Sequence, residues 1–200
     1  DPSSAIYVAE SNLKKYDNAF FYKETVDACS LKNESQDFGY SLGVLHHIPD
    51  TQKAIKDCAI KLKKGAPFLL YLYYDFEDKP ALFKLIWKLT DLIRLKVISK
   101  LPPRIKKTIC SIIAITIYYP LAKFSRMLEI LGINVENMPL SDYRNKSFYI
   151  MRNDALDRFG TKLEQRFSKK DITNMLKNSG FHKITFSNRT PYWTCISYKA

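Results

Sequence analysis

The residues of this 200-residue chain best equipped for chemistry fall in two short runs. The first, DFGYSLGVLHHIPD (37–50), holds adjacent imidazoles at His46 and His47. An imidazole titrates near neutral pH, so one of the pair can act as a general base while the other packs and hydrogen-bonds at a strand end. The second run, APFLLYLYY (66–74), is followed by Asp75 and Glu77, two carboxylates that rival the histidines as base. His46, His47 and Glu77 are therefore the catalytic candidates, and Tyr73 and Tyr74 read as core and rim. The cysteines at 29, 58, 110 and 195 form no C-x-x-C pair and have no histidine cluster nearby. That spacing fits neither zinc nor a disulfide framework, so the expectation is no metal, and reduced thiols in a cytoplasmic protein.

The elements that must position these residues follow an α/β grammar. Residues 3–15 suit a short helix, and 19–26 (AFFYKETV) read as a strand on their aromatic and β-branched content. Residues 37–45 read as a second strand ending at Gly43. Asp50 or Thr51 can cap a helix with Ala54, Ile55, Cys58, Ala59 and Leu62 inward, closing at Gly65. The unbroken apolar run 66–74 predicts a strand covered on both faces. At the far end, Ser168 and Asp171 form a capping-box pattern before a helix. Residues 183–188 and 192–199 then read as a terminal strand pair joined through Arg189-Thr190-Pro191.

Residues 78–166 break this rhythm. Segment 81–100 places apolar residues at 82, 85, 86, 89, 92 and 93 opposite Lys84, Lys88 and Asp91, an amphipathic helix. A second helix over 104–131 should be kinked or split by Pro120. The stretch 141–152 (SDYRNKSFYIMR) lacks apolar periodicity and reads as a loop. Such a loop can carry recognition, with Tyr143, Arg144, Tyr149 and Arg152 as acceptor contacts, or can be an ordinary surface loop.

In order and spacing, Asp1-Pro2-Ser3, Val26-Asp27-Ala28, DFGYSLGVLHHIPD (37–50) and LKKGAPFLL (62–70) resemble class I S-adenosylmethionine-dependent methyltransferases. The resemblance covers roughly 1–77 and 167–200; 139–160 resembles a bacterial subgroup carrying a long insertion. It implies a Rossmann-like sheet with the ligand at the carboxyl ends of its strands, and S-adenosyl-L-methionine as cofactor. It places Asp1, with Ser3 beside it, at the cofactor ribose, and Asp27 and the Ala28 backbone at the adenine. Gly43, Val44 and Leu45 fall beside the methionine portion. The family's first strand and glycine-rich loop have no counterpart here: the chain has six glycines and no G-x-G. It also opens without Met, charged leader or signal core, so it reads as the C-terminal portion of a longer enzyme, inactive by itself.

Charge narrows the partners. The chain carries +12, and residues 79–126 hold eleven Lys or Arg against a single acid, Asp91. This favours an anionic partner. The uncharged run 108–122 is too short, with Pro120 in it, for a transmembrane helix. Its surroundings suit an in-plane membrane contact using Phe83, Trp87, Tyr118 and Tyr119, or else a lid packed on the sheet with its lysines solvated. The expected activity is methyl transfer to a small-molecule, glycan or lipid-linked acceptor, in a cytoplasmic or membrane-peripheral protein. The alternatives are an RNA methyltransferase, disfavoured by the apolar character of the basic segment and the lack of an RNA-binding module, and a non-catalytic binding protein retaining the fold.

Overall fold

The computed structural model describes residues 1–76, 81–136, 138–188 and 192–200, without the side chains of residues 82, 86 and 192. Glu77, the start of the 79–126 segment, and the expected connection at 189–191 lie outside the described residues. The chain divides into two compact units, a sheet unit from Asp1–Glu77 and Leu163–Ala200 and a helical unit from Asp78–Lys162.

The sheet unit begins with α1 (Ala5–Leu13), none of whose residues is buried. It continues through β1 (Gly39–Leu42), α2 (Thr51–Lys61) and β2 (Pro67–Tyr73), and resumes with α7 (Lys169–Asn178), β3 (Phe181–Phe186) and β4 (Tyr192–Lys199). The strand order is β1-β2-β4-β3, with β1 and β2 parallel and the other pairings antiparallel. The Asp50 side chain accepts from the Lys53 amide at 2.8 Å and so starts α2. Gly65, at φ +79, supplies the left-handed turn that leads into β2. Ser168 and Asp171 form a reciprocal capping box at α7. Ile55 and Ala59 of α2 and Ile172 and Leu176 of α7 are buried with Phe68, Leu70 and Leu72 of β2. Gln52 ties the two helices by donating to the Met175 carbonyl and the Ser179 hydroxyl.

Two strand expectations change. Residues 19–25 form no strand, Val26 opens a 3-10 turn, and Phe20 is largely exposed; aromatic content gave a strand signal in a segment that joins no sheet edge. In β2 burial alternates, with Phe68, Leu70 and Leu72 enclosed and the intervening residues half-buried. One face of that strand is core and the other only partly covered.

The helical unit comprises α3 (Ala81–Lys96), α4 (Pro103–Ile113), α5 (Tyr119–Ile130) and α6 (Phe148–Gly160). A π-helical turn, Ala114–Tyr118, joins α4 to α5. Pro120 does not end the helix: its ring nitrogen cannot donate to the Thr116 carbonyl, and the wide turn just before it absorbs that loss. Helix 103–130 is consequently long and apolar enough, by length and composition, to cross a membrane, so the expected shortening at Pro120 does not hold. Its buried stripe, Cys110, Ala114, Tyr118 and Ala122, clusters with Met151 and Ala155 of α6. Four-residue steps drift by about 40° in a regular helix, and the wide turn cancels the drift.

The apolar face of the amphipathic helix α3 is not enclosed. Its apolar Leu85, Leu89, Leu92 and Ile93 are each about half exposed, whereas Arg94 is 4 % exposed. Arg94 pairs with Asp91 at 2.7 Å and donates to the Thr161 carbonyl. The other loop expectation also changes. Within 141–152, Ser141–Tyr143 form a 3-10 turn and residues 148–152 open α6, because the Ser147 hydroxyl caps that helix by accepting from the Ile150 amide.

Candidate active site

Asp1 and the segment after α1 meet around an open cavity of about 310 Å³. Its lining combines apolar Ile6, Phe20, Val26 and Leu31 with polar Asp1, Glu24 and Thr25. The Asp1 backbone nitrogen donates to the Tyr22 carbonyl at 3.2 Å, which holds Asp1 against this wall. One Asp1 carboxylate oxygen accepts from the Ser3 amide at 2.7 Å, and the Ser3 hydroxyl accepts from the Ala5 amide at the start of α1. Ser3 thus orients both Asp1 and the helix.

Asp27 sits in a single 3-10 turn, Val26–Ala28, whose neighbours Val26 and Cys29 line the cavity while Asp27 itself does not. The Thr25 side chain holds its carboxyl below the usual carboxylate range, with Lys53 adding to the effect. Lys53, 3.6 Å away, is shared with Asp57 at 2.7 Å. The turn packs against α2, the helix that carries Lys53.

At the carboxyl end of β1 the chain turns through Gly43, at φ +71, whose amide donates to the Tyr71 carbonyl. A side chain there would sit in ordinary contact with the Tyr71 ring, so the backbone conformation rather than space favours glycine. Val44 is exposed and Leu45 buried, opening the 3-10 turn Leu45–His47. The two histidines then part company. His46 is fully buried and stacks on Tyr73, and neither ring nitrogen has a hydrogen-bond partner. Burial, reinforced by His47 and Arg166, lowers its pKa to about 3. The nearby His47 Nδ1 lies 2.7 Å from the Leu163 carbonyl, to which it can only donate.

Sequence reasoning missed the strap that secures this turn. Residues 163–167 run beside the end of β2: the Gln165 amide donates to the His46 carbonyl and the Phe167 amide to the Tyr73 carbonyl. The Gln165 side chain reaches the Ile48 carbonyl at 2.7 Å. Buried Arg166 pairs with buried Glu164, donates to the Tyr74 carbonyl, and covers the Tyr73 and Phe76 rings. The available signal was the alternation Glu164-Gln165-Arg166, which in an extended segment puts both charges on one side.

The acceptor candidates lie in the helical unit. Tyr143 packs edge-on against Tyr118, and burial, then Asp154, raises its phenol well above the usual range. Arg144 bonds Glu129 at 2.8 Å. Tyr149 is exposed, with the Arg152 guanidinium 5.6 Å above its ring centre. Tyr143 and Arg144 are thus built into the unit's own packing, and Tyr149 and Arg152 form a surface pair. Among the described residues no cluster of histidine, cysteine or carboxylate could hold a metal ion.

Residues 1–70 match the family model of a methyltransferase domain. No curated protein matches the chain. A SAM-dependent methyltransferase structure from Methanosarcina mazei is similar over 100% of this chain and 79% of that chain, at 16% identity and TM-score 0.52. A structure described as a possible exported protein from Bordetella parapertussis aligns over 100% of this chain and 51% of that chain, at 13% identity and TM-score 0.50. The structural likenesses establish the fold, an open Rossmann-like α/β sheet, and the methyltransferase-domain match falls on its first 70 residues.

Proposed function

On the premise of a class I methyltransferase domain, we propose that this protein moves a methyl group from S-adenosylmethionine to a small-molecule, glycan or lipid-linked acceptor. The observation that carries the reading is the cavity that brings Asp1 together with Thr25 and Val26. Its apolar walls suit a purine, and a carboxylate beside them suits the ribose hydroxyls through charge-assisted hydrogen bonds. Asp27 and the Ala28 backbone border this place and would meet the adenine edge. Gly43, Val44 and Leu45 would face the methionine portion. The residues present therefore fit the adenosine part of the cofactor.

The cofactor supplies an electrophilic methyl on a sulfonium, so the protein's task is mainly alignment. Where the acceptor must lose a proton, His47 is better suited than His46, because His46 is fully buried against Tyr73 whereas His47 is partly exposed. Placing the activity in the cytoplasm or at its membrane face belongs to the same proposal.

The test is photo-cross-linking of labelled S-adenosylmethionine to the natural full-length protein, followed by peptide mapping. Label in the peptides spanning 1–45 is expected, competed by S-adenosylhomocysteine and lost in Asp1→Ala. Label elsewhere, or none, overturns the assignment.

A further inference from the structure

The helical unit presents apolar side chains where a soluble surface would present polar ones. On α3, Leu85, Leu89, Leu92 and Ile93 recur at helical spacing and face outward, while the charged Arg94 and Asp91 are turned in and paired. On the long helix, Ile112, Ile115, Phe124 and Met127 are each about half exposed, away from the stripe that meets α6. Exposed apolar area of this extent marks an interaction surface rather than scattered chance exposure.

Charge identifies the occupant. The one acid in 79–126 is consumed by Arg94, so the charge that segment shows outward is positive. Exposed Lys107 stands before the uncharged run, and exposed Lys123 and Arg126 follow it. Apolar side chains bordered by cations complement an anionic lipid surface, in which the former enter the headgroup boundary and the latter meet phosphates. A nucleic acid would use the cations and leave the leucines in water.

We propose that the outward faces of α3 and helix 103–130 dock the protein on an anionic membrane, with the helices lying in the plane of the interface. A spanning arrangement conflicts with the packing. The long helix is joined along its stripe to α6, which carries Arg152, Asp154, Asp157 and Arg158, and the Tyr118 hydroxyl donates to Asp154. Crossing the bilayer would carry those charges into hydrocarbon or strip the stripe from its partner. The docking face is less aromatic than expected from sequence: Tyr118 is buried and Phe83 and Trp87 are half-buried, and of the four aromatics Tyr119 alone is exposed. This proposal does not depend on which acceptor is methylated, and its failure leaves the cofactor cross-linking test untouched.

The experiment is co-sedimentation of the protein with vesicles of phosphatidylcholine alone and of phosphatidylcholine mixed with phosphatidylserine, across a salt series. Binding to the mixed vesicles only, weakening as salt rises, is expected. The triple change Lys107→Glu, Lys123→Glu, Arg126→Glu should lower it at least a hundredfold, since each basic residue near such a surface adds about fivefold. Leu89→Asp with Phe124→Asp should abolish it while circular dichroism retains the helix signal, both positions being exposed. No binding to mixed vesicles at low salt overturns the proposal. So does binding that survives the aspartates, which would assign the basic surface to a polyanion such as RNA. A dimer in light scattering that the aspartates disperse, without vesicle binding, would assign the face to a second copy of the chain.

Discussion

The His46 and Tyr73 rings stack with centroids 3.9 Å apart and planes inclined by 28°, which locks the turn after β1 onto the last residue of β2. Parallel strands β1 and β2 end at this contact, and the 163–167 strap is hydrogen-bonded to both sides of it.

The stack makes stability depend on acid. Folded, His46 stays neutral down to about pH 3, whereas in the unfolded chain it protonates near its ordinary value of 6.5. Between those values the unfolded state binds more protons, so stability falls as pH drops below about 6.5, by roughly 1.4 kcal/mol per unit. Above that value the contribution is complete. Urea unfolding of the sheet unit at neutral pH and at about pH 5 should differ by about 2 kcal/mol from this residue. His46→Leu should remove that difference; an unchanged pH slope would show that the imidazole does not titrate on unfolding.

Asp27→Ala in the natural full-length protein should weaken S-adenosylmethionine binding by roughly 1–3 kcal/mol, the usual loss when a polar partner is removed. Isothermal titration reads this directly. Equal affinity in the two proteins would move the adenine contact away from the Val26–Ala28 turn. His47→Gln should leave that affinity alone and lower turnover, if the acceptor needs a base.

In the helical unit the Tyr118 hydroxyl donates to Asp154 at 2.9 Å. Tyr118→Phe removes the donor at a buried position and should cost about 1–3 kcal/mol in thermal or urea unfolding. No measurable change would mean that water replaces the phenol there.

Thiol labelling should divide the cysteines. Burial pushes the Cys58 and Cys195 thiols up to about 12, with Asp57 contributing at Cys58, and Cys110 is also buried and raised. Cys29 and Cys58 are half-buried, whereas Cys110 and Cys195 are buried. Maleimide labelling of the folded protein near neutral pH, mapped by mass spectrometry, should therefore modify Cys29 first, Cys58 slowly because its thiol stays protonated, and Cys110 and Cys195 only on unfolding. Fast labelling of Cys195 would place it outside the sheet core.

Local chemistry was legible in the sequence wherever the deciding residues are neighbours. Asp50 before α2 and the Ser168–Asp171 box each act within a few positions and do what their spacing implies, whereas α2 ends at Lys61, short of the expected stop at Gly65, which instead turns the chain toward β2. The same rule located the strand-end residues Gly43 to His47. What was not legible depends on distant partners. Residues 19–26 have strand chemistry but pair with no strand, and the apolar stripe of α3 is real while the side it faces is set by the Arg94–Asp91 pair and Thr161. Nothing near His46 or His47 reveals which ring is covered, because Tyr73 and the 163–167 strap decide it. Ser147 was a cap signal that went unread beside the polar residues around it.

The π turn at Ala114–Tyr118 has a consequence for how the length of this helix can vary. A turn of that width is what remains when one residue is added to a regular helix whose two ends are already held in place. Deleting a single residue within it should return the helix to ordinary pitch with Cys110 and Ala122 still turned toward α6. Deleting one anywhere else would rotate all that follows by about 100°, swinging Ala122 off its neighbour and a charged residue toward it. Relatives of this chain that differ by one residue in the long helix should therefore carry the gap between Ala114 and Tyr118.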